Sequence, residues 1–76
     1  MKSSIESFGT GWYGIHIRLD KNDIDKLIDY LQTLQQDDSY HFHLYSIAMD
    51  TEPTGIADIQ FARLLENDKS NMDIGA

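Results

Sequence analysis

Asp20-Lys21-Asn22-Asp23-Ile24-Asp25-Lys26-Leu27-Ile28-Asp29-Tyr30-Leu31-Gln32-Thr33-Leu34-Gln35 is the stretch on which the fold turns. Its apolar residues Ile24, Leu27, Ile28, Leu31 and Leu34 follow at steps of three or one, which gathers them onto one stripe of an α-helix. Asp23, Asp25, Lys26, Asp29 and Gln36 fall mostly off that stripe. Asp20 stands where an N-cap would, and Asp23 adds a second carboxylate for the free amides of the first turn, an imperfect capping box. The helix is expected to run to about Gln35, where Asp37-Asp38-Ser39 stops it with residues that prefer turns. Two aspartates at the negative end of the helix dipole are unfavourable, and the sequence offers no compensation for them.

Working outward, the pattern changes period on both sides. Before the helix, Tyr13, Ile15, Ile17 and Leu19 alternate with Trp12, Gly14, His16 and Arg18, as in a half-buried strand. After it, Tyr40, Phe42, Leu44 and Ser46 alternate with His41, His43, Tyr45 and Ile47, a second strand. Asp50-Thr51-Glu52-Pro53-Thr54-Gly55 reads as a turn, and Ala57, Ile59 and Phe61 then oppose Ile56, Asp58, Gln60 and Ala62 in a third strand, antiparallel to the second. The expected fold class is α+β with the order β-α-β-β: one three-stranded sheet carrying one amphipathic helix on one face. A right-handed crossover would make the first two strands parallel. Its expected core is Tyr13, Ile15, Ile17, Leu19, Ile24, Leu27, Ile28, Leu31, Leu34, Phe42, Leu44, Ile59 and Phe61.

Residues 1–10, with three serines and Gly9 around isolated Ile5 and Phe8, read as a flexible lead-in, and 66–76 as a flexible polar tail. Residues 11–65 are the single domain. At 76 residues such a chain buries only about 60% of the surface its unfolded form exposes, so a partner subunit or ligand supplements a thin stability margin. The absence of cysteine excludes disulfide scaffolds, thiolate zinc sites and cysteine nucleophiles, and fits a reducing cytoplasm, the expected location. No apolar run approaches the roughly 20 residues of a membrane span, and the first residues lack the apolar core of a signal peptide. Thirteen acidic against six basic side chains give a formal charge of −7, which repels nucleic-acid backbones and favours basic protein surfaces.

With one helix on one sheet face, the other face is expected to be open. It would present Trp12, His16 and Arg18, then His41, His43 and Tyr45, then Ile56, Asp58 and Gln60. Large amphipathic rings beside an arginine are the residue types that anchor protein interfaces. The plain alternative is a solvated face. His41 and His43, on one side of a strand about 7 Å apart, with His16 or Asp58 as a third ligand, have the residue types of a divalent-metal site. No thiolate assists, and such pairs also occur simply as strand residues, so no cofactor or metal is expected. A histidine base oriented by Asp58 is conceivable, but no serine elbow, phosphate loop or paired-carboxylate cleft accompanies it. The helix carboxylates, Asp25 and Asp29 among them, read either as a solvated face or as a surface that docks on a basic groove.

The run from Ile24 to Leu64, about half of the chain, carries a resemblance. An Ile-Asp-Lys-Leu-Ile-Asp-Tyr-Leu helix at Ile24–Leu31, then His41-Phe42-His43-Leu44, a glycine turn and an acidic-hydrophobic strand resemble small immunity proteins of bacterial polymorphic toxin systems. The segment Ala48–Thr54, which contains Pro53, is longer than the compact glycine-rich turn of such proteins. The resemblance implies a non-catalytic protein that neutralises a toxin by covering its active surface. A phage-type inhibitor such as an anti-CRISPR protein would use the same physics. The expected function is therefore that of an acidic inhibitor with a basic protein partner, binding through Trp12, His16, His41, His43, Tyr45 and Asp58, or through Asp25 and Asp29. The alternatives are a homodimeric structural or regulatory module pairing through the open sheet face, and a small metal-binding domain using His41, His43 and His16.

Overall fold

A computed structural model describes residues 1–76 and contains four strands and one helix: β1 (Lys2–Ser7), β2 (Tyr13–Arg18), α1 (Lys21–Gln36), β3 (His41–Tyr45) and β4 (Asp58–Ala62). The α+β class and the single helix stand, but the three-stranded sheet does not. β1 pairs antiparallel with β2, and β3 with β4, in two separate two-stranded sheets. β2 and β3 are therefore not parallel neighbours. The physical reason lies in the first ten residues, expected to lack regular structure. Phe8 N–H donates to the Trp12 carbonyl (3.1 Å), and Gly9 (φ +74°) and Gly11 (φ +90°) supply the left-handed backbone that a tight reversal demands. Lys2–Ser7 is thereby folded back onto β2 by a five-residue loop, a local closure that costs roughly 1 kcal/mol less chain entropy than the connection to β3.

The helix is built as its sequence dictates. Asp23 N–H donates to Asp20 Oδ1 (2.7 Å) and Asp20 N–H to Asp23 Oδ2 (3.3 Å), so aspartate completes the capping box in both directions. At the other end the unfavourable aspartates have a compensation that comes from 27 residues beyond the helix. Arg63 Nη1 donates to the carbonyls of Leu34 (3.3 Å) and Gln35 (3.2 Å), placing a cation at the negative end of the dipole and satisfying two open acceptors. Asp37 is itself held by Ser39, whose hydroxyl (2.6 Å) and N–H (2.9 Å) donate to its carboxylate.

The core is smaller than expected. Only Leu34 and Phe42 are buried. Ile17, Leu19, Leu27, Leu44, Ile59 and Phe61 are half-buried, while Tyr13, Ile15, Ile24, Ile28 and Leu31 are exposed. Phe42 is the centre: its ring stacks on Phe61 across the β3–β4 pair (centroids 5.0 Å) and meets Tyr30 of α1 at 5.4 Å and Tyr40 at 6.3 Å. In the expected fold Tyr13 and Ile15 of the sheet and Ile24, Ile28 and Leu31 of the helix would have covered one another. No helix is long and apolar enough to cross a membrane.

Two carboxylates, half-buried Asp23 and exposed Asp37, make the fold sensitive to acid. The Met1 α-amino group, 2.8 Å away, holds the Asp23 carboxyl below the usual carboxylate range, and the Ser39 hydroxyl and N–H do the same for Asp37. A carboxylate whose folded pKa lies below its unfolded value stabilises fully above the unfolded value, 3.8, and the contribution is lost as pH falls through the folded one. Urea midpoints are expected to be lower below pH 3.8 than at neutral pH, and Ser39→Ala should shrink that difference. An unchanged pH profile in Ser39→Ala would remove Asp37 from the account.

Candidate functional site

The outer face of β3 and β4 carries the clearest cluster. In the antiparallel register His41 lies opposite Ala62, His43 opposite Gln60 and Tyr45 opposite Asp58, so alternation sends Phe42, Leu44, Ile59 and Phe61 inward and this polar set outward. His43 Nδ1 meets Asp58 Oδ1 at 2.9 Å along the diagonal of the pair. Because a carboxylate only accepts, Nδ1 is the donor, which fixes the ring's orientation. His41 packs its edge against the His43 ring, with centroids 5.2 Å apart and planes at 86°. Tyr45 is 74% exposed at the end of the strand.

Beside this cluster Tyr30, Tyr40, Phe42, His43, Tyr45 and Asp58 line a shallow depression of about 550 Å³. Tyr30 and Tyr40 were not among the expected binding residues. Tyr30 lies off the aliphatic stripe of α1, so helical periodicity assigns it to solvent; it is the ring of Phe42 that draws it to the edge of the site. A signal was present in the sequence, since Tyr40 begins the alternation that contains Phe42.

Trp12 and His16 lie elsewhere. His16 belongs to the β1–β2 sheet, on the side that alternation gives to Glu6, Gly14 and Arg18, and Trp12 to the loop that joins its strands, so the single open face expected to unite all the rings is divided. His16 Nε2 is 2.8 Å from Glu6 Oε1. Phe8 lies over Gly14, where a Cβ would come within 3.0 Å of its ring. Trp12 is 76% exposed near the tip of the hairpin. Asp25 and Asp29 project from α1 into solvent, and neither forms an ion pair.

The histidines are thus partnered in pairs rather than assembled as a set: His16 with Glu6, and His43 with Asp58 and His41. No three histidine, aspartate or glutamate side chains converge as metal ligands, so the His41, His43 and His16 constellation is not formed. What the β3–β4 face offers chemically is a set of flat rings, one hydrogen-bonded imidazole and a carboxylate around a shallow depression. Comparison with known proteins found no matching family model, no similar curated protein and no similar solved structure.

Proposed function

We propose that the chain is a non-catalytic acidic binding protein that inhibits a protein partner by covering its active or nucleic-acid-binding surface, as small immunity proteins of toxin systems and phage-type inhibitors do. The observation that carries this reading is the outward ring cluster His41, His43 and Tyr45 beside the open depression at Tyr30 and Tyr40, on a chain of net charge −7. Aromatic groups that are already held by neighbours lose little freedom on binding and bury much area. The surplus of acid attracts a basic cleft from a distance and raises the association rate without fixing the contact itself. Asp25 and Asp29, unpaired on α1, are available to that long-range field. The fixed His43–Asp58 pair gives the contact surface one defined hydrogen-bonding direction.

The test begins with the adjacent gene. If its product is a basic toxin or nuclease domain, the purified proteins should form a complex whose association rate falls at least about tenfold between roughly 50 and 300 mM salt. An adjacent gene that encodes no such protein, together with low-salt capture from the native host that recovers no basic partner, would overturn the reading.

A further inference from the structure

The β1–β2 hairpin is an arm with an apolar side that this chain does not cover. Its register sets Ile5 against Ile15, Ser3 against Ile17 and Ser7 against Tyr13, so these six residues share one side. Along that side exposure grows with distance from the body. Ile17, at the root, is half-buried and shares a groove with Leu44 and Ile59; Ile15 and Ile5 are each 56% exposed, and Tyr13, nearer the tip, is 66% exposed. On α1 the stripe is likewise half used. Leu27 is half-buried and Leu34 buried, while Ile24, Ile28 and Leu31, rotated some 70° around the helix by its 100° per residue, remain exposed.

The chain as a whole exposes enough surface for a second copy to cover. A compact folded chain of 8.7 kDa exposes about 4700 Å², whereas this one exposes 7233 Å². Its radius of gyration is 14.5 Å, against about 11 Å for a compact chain of this length. Counting residues 63–76 as fully extended removes about 1600 Å² of the excess and leaves about 900 Å². Two copies would then bury about 1800 Å² between them, the size of a standard stable interface. A two-stranded hairpin has little stability alone, so the arm has its own reason to be covered.

We propose that a second copy of this chain is the occupant: Ile5, Tyr13 and Ile15 of each arm lie on Ile24, Ile28 and Leu31 of the other copy's helix, in a reciprocal twofold dimer. Each contact occurs twice by symmetry, and the assembly closes at two. His16 lies on the opposite side of the arm and Trp12 in its loop, and the β3–β4 face is not used. The dimer therefore leaves the proposed inhibitory surface open, and neither reading depends on the other. Two chains of charge −7 repel, so salt should tighten this association, the reverse of its effect on a basic partner.

Sedimentation equilibrium should show a species of twice 8.7 kDa, and its dissociation constant should fall as salt is raised. Ile15→Glu and Ile28→Glu should each weaken it at least about thirtyfold, whereas Trp12→Ala should leave it within about twofold. Because an arm carrying glutamate risks misfolding, a second measurement uses milder changes. The chain has no cysteine, so Ile15→Cys mixed with Ile28→Cys under oxidation should give a cross-linked heterodimer, and either one mixed with Lys69→Cys should not. A single species of 8.7 kDa at about 100 μM, a dimer indifferent to both glutamates, or no Ile15–Ile28 cross-link would each overturn the proposal.

Discussion

Phe42→Ala is expected to cost about 3–5 kcal/mol and to abolish cooperative unfolding. Phe42 is one of two buried side chains, and Phe61, Tyr30 and Tyr40 all pack on its ring. Removing it leaves a hole lined by three rings, on β4, on α1 and just before β3, which cannot close together without moving β4 against α1. A chain of 76 residues has roughly 4–11 kcal/mol of total stability, and one with so small a core lies toward the lower end. The loss therefore consumes most of the margin. Far-UV circular dichroism through a urea titration, at fixed protein concentration because association shifts the midpoint, would measure it. Ile47→Ala, at a residue 96% exposed, serves as the control and should stay within about 0.5 kcal/mol. A loss below about 1 kcal/mol for Phe42→Ala would place the centre of the core somewhere else.

The second large effect is on binding. If the partner proposed above spans both hairpins, Trp12→Ala should weaken its complex by about 2–4 kcal/mol, while folding changes by no more than about 0.5 kcal/mol. The exposure of Trp12 supports the second half of that statement, since a ring 76% in solvent contributes little to packing. The first half follows from what such a ring gains when a partner desolvates it. Tyr45→Ala tests whether the partner spans both hairpins, because Tyr45 lies on the β3–β4 sheet and Trp12 in the loop of the other hairpin. Loss of affinity in Tyr45→Ala alone would confine the interface to β3–β4 and remove Trp12 and His16 from it. Calorimetric titration with the partner, beside urea unfolding of each variant, separates the two quantities.

The separation of Trp12 from Tyr45 was not legible in the sequence. Alternation correctly places His41, His43 and Tyr45 on one side of a strand and Phe42 and Leu44 on the other, and the same period puts Ile15 and Ile17 opposite His16. Alternation says which residues share a face. It does not say which strand lies alongside, because strand pairing is made by backbone N–H and C=O groups that every residue carries. The His43–Asp58 contact was within reach, since a hairpin joining β3 to β4 brings those residues together along one face. Tyr30 was not, because its position on α1 acquires meaning only once Phe42 lies beneath it. Arg63 belongs with Tyr30: nothing local connects it to the carbonyls of Leu34 and Gln35, and the end of β4 has to be placed before the cap exists.

The first residues show the same division from the other side. Lys2-Ser3-Ser4-Ile5-Glu6-Ser7 contains a single aliphatic residue, too little for a hydrophobic period, yet it forms a strand because Gly9 and Gly11 return it to β2. By itself the sequence determined the helix, its Asp20–Asp23 cap, the β3–β4 hairpin and the inward and outward sides of both, since each depends on residues close along the chain. The tertiary structure alone decided that β2 pairs with β1 rather than β3, that Ile24, Ile28 and Leu31 stay uncovered, and that the rings divide between two sheets. Those outcomes depend on which backbone edges meet across the fold, and edge pairing is made by groups that every residue carries, so no local pattern of side chains records it.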